Sequence, residues 1–200
     1  MQRGLIQRLW LRLLRLLGLK RLSWNAQFAA GVSCYGQRSP NTISRVQALC
    51  GGGRLLEFGC GEGELPFMLP PGAFSSYMGY DISTVAIGRA RRRAAAAALV
   101  NVGFAPCDIA RWDGADSASL IVAEECLYYL SPAVLEQFLL RCCRCLAGGG
   151  AILAIVHSAT KHARTLAVCR RVCLVRDEET LGERVFLTLV PRPPAPLTRP

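Results

Sequence analysis

Leu55-Leu56-Glu57-Phe58-Gly59-Cys60-Gly61-Glu62-Gly63 is an apolar run that closes on an acid and then sets glycine at every second position. Arg54–Phe58 has the composition of a short buried strand. The glycines suit the strand-to-helix turn after it. There they admit positive φ and let a ligand reach the backbone with no Cβ in the way. The spacing is G-x-G-x-G, distinct from the dinucleotide G-x-G-x-x-G, and no Lys-Ser or Lys-Thr follows, which excludes a P-loop. Asp81 stands 18 residues after Gly63 and closes a second apolar run, Tyr77–Tyr80. A carboxylate at the tip of a second strand is placed to accept both hydroxyl protons of a ribose. Its competing reading is a helix cap, because Ile82-Ser83 opens the next helix.

Outward from these marks, strands and helices alternate. Asn41–Leu49 is a predicted helix capped by Ser39 or Asn41. Ser83–Leu99 is a second, with Ser83 as N-cap, and Pro132–Leu146 a third, with Ser131 as N-cap and glycines at its end. Val102–Ala105, Ser119–Ala123 and Ala151–Val156 are further strands. The spacing demands crossovers and hence a parallel sheet. After His157 the pattern changes to a helix over Thr160–Val168. Two strands follow, Val172–Arg176 and Arg184–Val190, flanking an acidic turn region, Asp177–Gly182. The fold class is therefore α/β: a doubly wound, mostly parallel seven-stranded sheet with an antiparallel C-terminal strand. Residues 1–22 read as a basic amphipathic helix, 23–190 as one domain, and the proline-rich 191–200 as a disordered tail.

Cys107-Asp108-Ile109, after the third strand, adds an acid where an adenine amino group would lie, the alternative being a plain loop aspartate. Glu57-x-Gly59-Cys60-Gly61-x-Gly63, Asp81, Asp108 and the helix-Gly-Gly-strand of Leu146–Val156 resemble the motif series of class I S-adenosylmethionine (SAM) dependent methyltransferases. The resemblance covers roughly residues 45–190. Tyr80-Asp81-Ile82-Ser83, Ala86-Ile87, Ala90-Arg91 and Ile121–Leu130 are similar to the nodulation protein S-like branch, and Trp24–Gly31 to relatives that modify sugars. One departure is the helix after the glycines, which Pro66, Pro70 and Pro71 keep short.

The resemblance implies a Rossmann-like fold, SAM as cofactor, and methyl transfer to N or O of a small-molecule or sugar-containing acceptor. Glu57 would orient the amino end of SAM, directly or through water. Gly59, Cys60, Gly61 and Gly63 would bring backbone to the cofactor. Asp81 would hold the ribose, Ile82 would belong to the cofactor site beside it, and Asp108 and Ile109 would flank adenine. Glu124 and Glu125 follow the fourth strand, and alternation would turn only one of them to the pocket. Glu125 is the favoured acid there, or else a salt-bridged helix-start residue. Glu124 is then a cofactor-side residue. Tyr128, Tyr129 and Tyr35 are candidates for the acceptor wall, with core packing as the other reading. His157 is a candidate base or a structural histidine. Trp24, Phe28 and Tyr35 form either a lid or part of the core.

Composition narrows the function classes. The chain has 200 residues, 52% hydrophobic, with a formal charge of +10. That excludes wholesale disorder, and the absence of about 18 uncharged apolar residues in a row excludes a spanning helix. Arg3, Arg8, Arg12, Arg15, Lys20 and Arg21 carry +6 within residues 1–22, which hold no acid. The other 18 basic and 14 acidic residues net only +4. The basic excess is thus mostly a property of the N-terminal segment, which lies on an anionic membrane surface, packs on the domain, or serves as a transit peptide. Nucleic acid remains a weaker alternative, since no Asn-Pro-Pro-Tyr-type motif follows the fourth strand. A non-catalytic scaffold is the alternative from another class. Ten scattered cysteines and no secretory signal point to free thiols in a reducing cytoplasm. No cysteine or histidine spacing marks a metal site.

Overall fold

The computed structural model describes residues 19–31, 39–114 and 117–193. The predicted helix over 1–22 before Leu19, Tyr35 and the tail beyond 193 lie outside them. Helix α1 (Lys20–Ala29) runs across residue 22, the expected edge of the N-terminal segment. Helix α2 (Pro40–Cys50) starts where Ser39 Oγ accepts from the Asn41 N–H at 3.3 Å and ends on Gly51 in the left-handed region. Strand β1 (Arg54–Phe58) leads through the glycine turn into a four-residue helix, α3 (Leu65–Met68), whose length reflects the flanking prolines. Then come β2 (Ser76–Asp81), α4 (Thr84–Ala96), β3 (Val102–Pro106), β4 (Ala118–Glu124), α5 (Pro132–Cys145), β5 (Leu146–His157), α6 (Ala163–Val172), β6 (Leu174–Leu181) and β7 (Arg184–Val190).

The seven strands form one sheet in the order β3-β2-β1-β4-β5-β7-β6. The β1–β2, β1–β4, β2–β3 and β4–β5 pairs are parallel, and β7 runs antiparallel to both β5 and β6. Alternate side chains of the central strands feed two cores. Leu56, Phe58, Ile121, Ala123, Ile152 and Ala154 pack with Phe138 and Leu139 of α5 and Leu166 of α6. Leu55, Leu120, Val122, Leu153 and Ile155 pack with Val46 of α2 and with Ile87 and Ala90 of α4. Strands buried on both faces must be apolar throughout, which is why β4 and β5 read as continuous hydrophobic runs.

Three local expectations change. The Gly148–Gly150 run is counted within β5 rather than closing a helix. Register jumps there from Ala118↔Leu146 to Leu120↔Ala151, so the glycines form an irregular bulge. Helix α6 lies about three residues later than expected and takes in Val172. The acidic residues 177–181 form strand rather than turn, leaving Gly182-Glu183 as the reversal. Their charge is accommodated by period-two alternation on an edge strand. Asp177 and Glu179 reach Arg45 of α2, and Glu178 reaches Arg170 of α6.

Candidate active site

The chain order reverses between β1 and β4, and a cleft opens there beyond the carboxyl ends of the strands, where open α/β sheets bind ligands. Its first wall is the glycine turn. The N–H groups of Gly59 and Cys60 both donate to Tyr80 O, at 2.8 and 3.1 Å, tying the turn to the tip of β2. Gly61 N–H donates to Asp81 Oδ2 (3.0 Å), and Ser83 N–H donates to Asp81 Oδ1 (2.8 Å). Ser83, rather than Asp81, caps α4, accepting from Ala86 N–H at 3.2 Å. An ionised carboxylate has about four acceptor sites. Asp81 uses two on the backbone and keeps one on each oxygen, the arrangement a vicinal diol requires. Burial is the largest influence on Asp81 and raises its pKa, against the lowering effect of the two backbone N–H groups.

The glycines differ in what they face. Gly59 (φ +76°) approaches Cys126 Cβ so closely that an added Cβ would sit 2.9 Å from it. At Gly61 (φ +54°) the nearest neighbour of such a Cβ is the Phe28 ring, at 3.7 Å. At Gly63 (φ +71°) the Cβ would lie 2.4 Å from the Phe104 ring and 2.9 Å from Ala90. Gly63 therefore serves the packing of the turn on α4 and β3. It does not line the cleft, and neither does Cys60. Glu57 lies off the cleft wall as well, fully buried, where it accepts from Tyr77 Oη at 2.5 Å.

Opposite the turn, Ile82, Asp108 and Ile109 line the cleft together. Asp108 Oδ1 caps the one-turn helix Ile109–Arg111 through Ala110 N–H at 3.0 Å. The third wall is the end of β4. Glu124 and Glu125 both line the cleft, because Glu125 takes φ +56° and breaks the strand alternation that would have separated them. Glu124 Oε1 accepts from Thr42 Oγ1 at 3.4 Å and lies 3.8 Å from Arg184. Glu125 is 6% exposed. Its Oε2 accepts from Tyr128 Oη at 2.8 Å, while Oε1 has no hydrogen-bond partner among the described residues. Burial raises the Glu125 pKa, and the Tyr128 hydrogen bond, His157 and Arg184 pull the other way.

Helix α1 closes the cleft from above. Asn25 fastens it to the start of α4: Ser83 Oγ donates to Asn25 Oδ1 (2.8 Å) and Asn25 Nδ2 donates to Thr84 Oγ1 (3.1 Å). Trp24 packs edge-on against Tyr129, with centroids 5.5 Å apart, and Trp24, Phe28 and Tyr129 all line the cleft. Lys20 lines it too and donates to Tyr129 O at 3.0 Å. Sequence reasoning missed Lys20, Tyr80, Cys107, Cys126 and Leu130. Lys20 meets its partner across 109 residues of chain, a juxtaposition no local pattern records. Two candidates stand apart from the cleft. His157 pairs with Glu183 at 3.0 Å at the end of β5, and Tyr128 faces a neighbouring recess.

Asp81, Asp108, Glu124 and Glu125 face Lys20 in this cleft, which gives it an anionic character suited to a sulfonium. Residues 55–150 match the family described as a methyltransferase domain. Those residues carry the methyltransferase-domain match, and the fold around them is that of class I SAM-dependent methyltransferases. Its fold is similar to that of the N-methyltransferase NodS from Bradyrhizobium japonicum WM9, solved with S-adenosyl-L-homocysteine (SAH). That likeness has TM-score 0.63 at 20% identity, over 78% of this chain and 90% of that one. A protein from Pyrococcus horikoshii OT3 is similar at TM-score 0.64 and 18% identity, over 80% and 94% of the two chains. Magnesium protoporphyrin IX methyltransferase from Synechocystis PCC 6803, solved with SAM, is similar at TM-score 0.63 and 16% identity, over 86% and 96%. No curated protein matches the chain. Among the described residues no three His, Cys, Asp or Glu side chains group as a metal site, and no helix is long and apolar enough to cross a membrane.

Proposed function

We propose that the domain transfers the methyl group of SAM to a nitrogen or oxygen of a small-molecule or sugar-containing acceptor, with Glu125 facing the nucleophile. The observation that carries this reading is the pair of acids at the cleft: Asp81 with one free acceptor site on each oxygen, and Glu125 with one oxygen unpartnered. SAM supplies a methyl carbon already activated by its sulfonium. Positioning then does most of the work, up to roughly 7–11 kcal/mol of the barrier in well-oriented systems. Asp81 accepts from the ribose hydroxyls, Ile82 and Ile109 flank the adenine, and Asp108 Oδ2 meets its amino group. Glu57 acts from behind the turn through Tyr77 and the β1–β2 pairing. Glu125 Oε1 accepts the proton that an amine or hydroxyl acceptor must shed. Trp24 and Phe28 keep water from the cleft.

Three of the four arginines of α4 are engaged within the domain, which supports a small acceptor over RNA. Arg89 pairs with Glu62, Arg91 donates to Phe104 O, and Arg93 lies over the Phe67 ring. The densest unopposed charge lies in residues 1–22, at +6 with no acid against +4 over the rest of the chain, and for this segment we propose contact with an anionic membrane surface.

The test is calorimetric titration with SAM and SAH. Wild type binds both in the micromolar range, and Asp81→Ala weakens binding by about 10–100-fold, as expected for the loss of hydrogen bonds to a charged group. A folded wild type that binds neither overturns the reading in favour of a scaffold. Labelled SAM incubated with fractionated cell extract then places the label in small-molecule, saccharide, lipid or RNA fractions.

A further inference from the structure

Beside the methyl-transfer cleft lies a second recess, formed where the chain leaves β5 and enters α6. Leu130 lines both hollows. Tyr128 is the partition between them. Its hydroxyl donates to Glu125 on the cleft side, and its ring stacks on His162 on the other, with centroids 4.0 Å apart and planes 15° apart. The recess has the opposite electrical character to the cleft. Lys161 and Arg164 line it, and neither has a carboxylate partner within 4.0 Å among the described residues. Burial, then Lys161, lowers the His162 pKa, so the positive charge belongs to Lys161 and Arg164.

Thr165 gives an independent sign of a ligand. It is 9% exposed, lines the recess, and makes no hydrogen bond among the described residues. Its hydroxyl is therefore left free to bond a ligand in the recess. The ten-residue helix α6 begins at Ala163, so the positive end of its dipole adds to the same field.

We propose that this recess is an oxyanion subsite: it holds a carboxylate or phosphate borne by the methyl acceptor while the acceptor's nucleophile meets Glu125 across Tyr128. Lys161 supplies a point charge, Arg164 a planar fork that matches either oxyanion, and Thr165 a hydrogen-bond donor. The acceptor is then bipolar, with an anionic end and a nucleophilic nitrogen or oxygen. The inference rests on the methyl-transfer reading, since the cleft must hold the cofactor for the recess to belong to an acceptor site.

The experiment uses the full chain saturated with SAH, titrated at constant ionic strength with inorganic phosphate and, separately, with acetate. Binding is followed through the backbone amide resonances of residues 160–166. At least one anion is expected to shift these resonances saturably. Combining Lys161→Ala with Arg164→Ala weakens that binding by about ten-fold or more, Thr165→Val by about two- to five-fold, and Lys161→Arg leaves it close to wild type. SAH affinity stays within about two-fold throughout, which also reports that the variants fold. Saturation by phosphate alone, or by acetate alone, identifies the oxyanion. The subsite is overturned if neither anion saturates while SAH binds, or if the double variant binds as wild type does. If anions bind but SAH does not, the methyl-transfer reading fails and the acceptor role of the recess fails with it.

Discussion

Gly61 and Gly63 share a left-handed backbone, φ +54° and +71°, yet answer to different demands. Around Gly63 the Phe104 ring and Ala90 leave no room for a Cβ, so Gly63→Ala combines backbone strain with overpacking and is expected to lower stability by about 2–4 kcal/mol in urea titrations. Gly61 faces the Phe28 ring at ordinary contact distance. Gly61→Ala is expected to cost about 1 kcal/mol of stability, from the backbone alone, and to weaken SAH binding instead. Glu125 sets the pH behaviour. Burial raises its pKa from the ordinary glutamate value, so the acid limb of kcat/KM is expected to be displaced upward in the same direction. Tyr128→Phe removes a donor to the charged form, so the limb moves further up. Glu125→Gln removes the limb and costs about 10²–10⁴-fold in rate. The stability sign is opposite to that of an ordinary paired acid. A carboxyl whose pKa is raised on folding contributes most below its unfolded pKa and loses that contribution as pH rises through the folded value. Glu125→Gln is therefore expected to have a higher urea midpoint than wild type at neutral pH, with the difference narrowing in acid.

At the scale of elements, α1 is a lid held at one joint. Asn25 joins it to Ser83 and Thr84, and the aromatic contacts of Trp24 and Phe28 lie on the cleft side. Each lost hydrogen bond is worth about 1 kcal/mol. Asn25→Ala is accordingly expected to weaken SAH binding by about 3–30-fold and to speed amide exchange across residues 20–29. The global urea midpoint stays near wild type, because the sheet cores do not depend on this helix. A large global loss would show that α1 is core rather than lid. Strand β6 illustrates the opposite case. Its residues read as a turn because three consecutive acids, Asp177-Glu178-Glu179, discourage a strand in isolation. Arg45 and Arg170, far apart in sequence, lie on opposite sides and take up the alternate charges.

Over the whole molecule the basic surplus is uneven: of the net +10, the four arginines of residues 1–18 carry +4 with no acid among them, and the remaining residues carry +6. Removing residues 1–18 is expected to abolish most co-sedimentation with anionic liposomes and leave SAH affinity unchanged. Unaltered co-sedimentation would discard the membrane contact. Removing 1–22 also takes Lys20 from its bond to Tyr129 O and is expected to weaken SAH binding.

The order of strands and helices, the parallel sheet and the placement of Gly59, Gly61, Asp81 and Asp108 at strand tips were legible in the chain itself. They follow from short-range regularities: apolar runs of strand length, caps, and glycines where the backbone must turn left-handed. Which of the marked residues share one cleft was decided only by tertiary structure. The left-handed Glu125 brings two adjacent acids to the same wall, Gly63 and Glu57 turn into the protein, and Lys20 arrives from a distant helix. The recess of Lys161, Arg164 and Thr165 is equally invisible in sequence. Local propensity fixes dihedral angles one residue at a time, whereas a binding site is a set of side chains that meet only after helices and strands have packed.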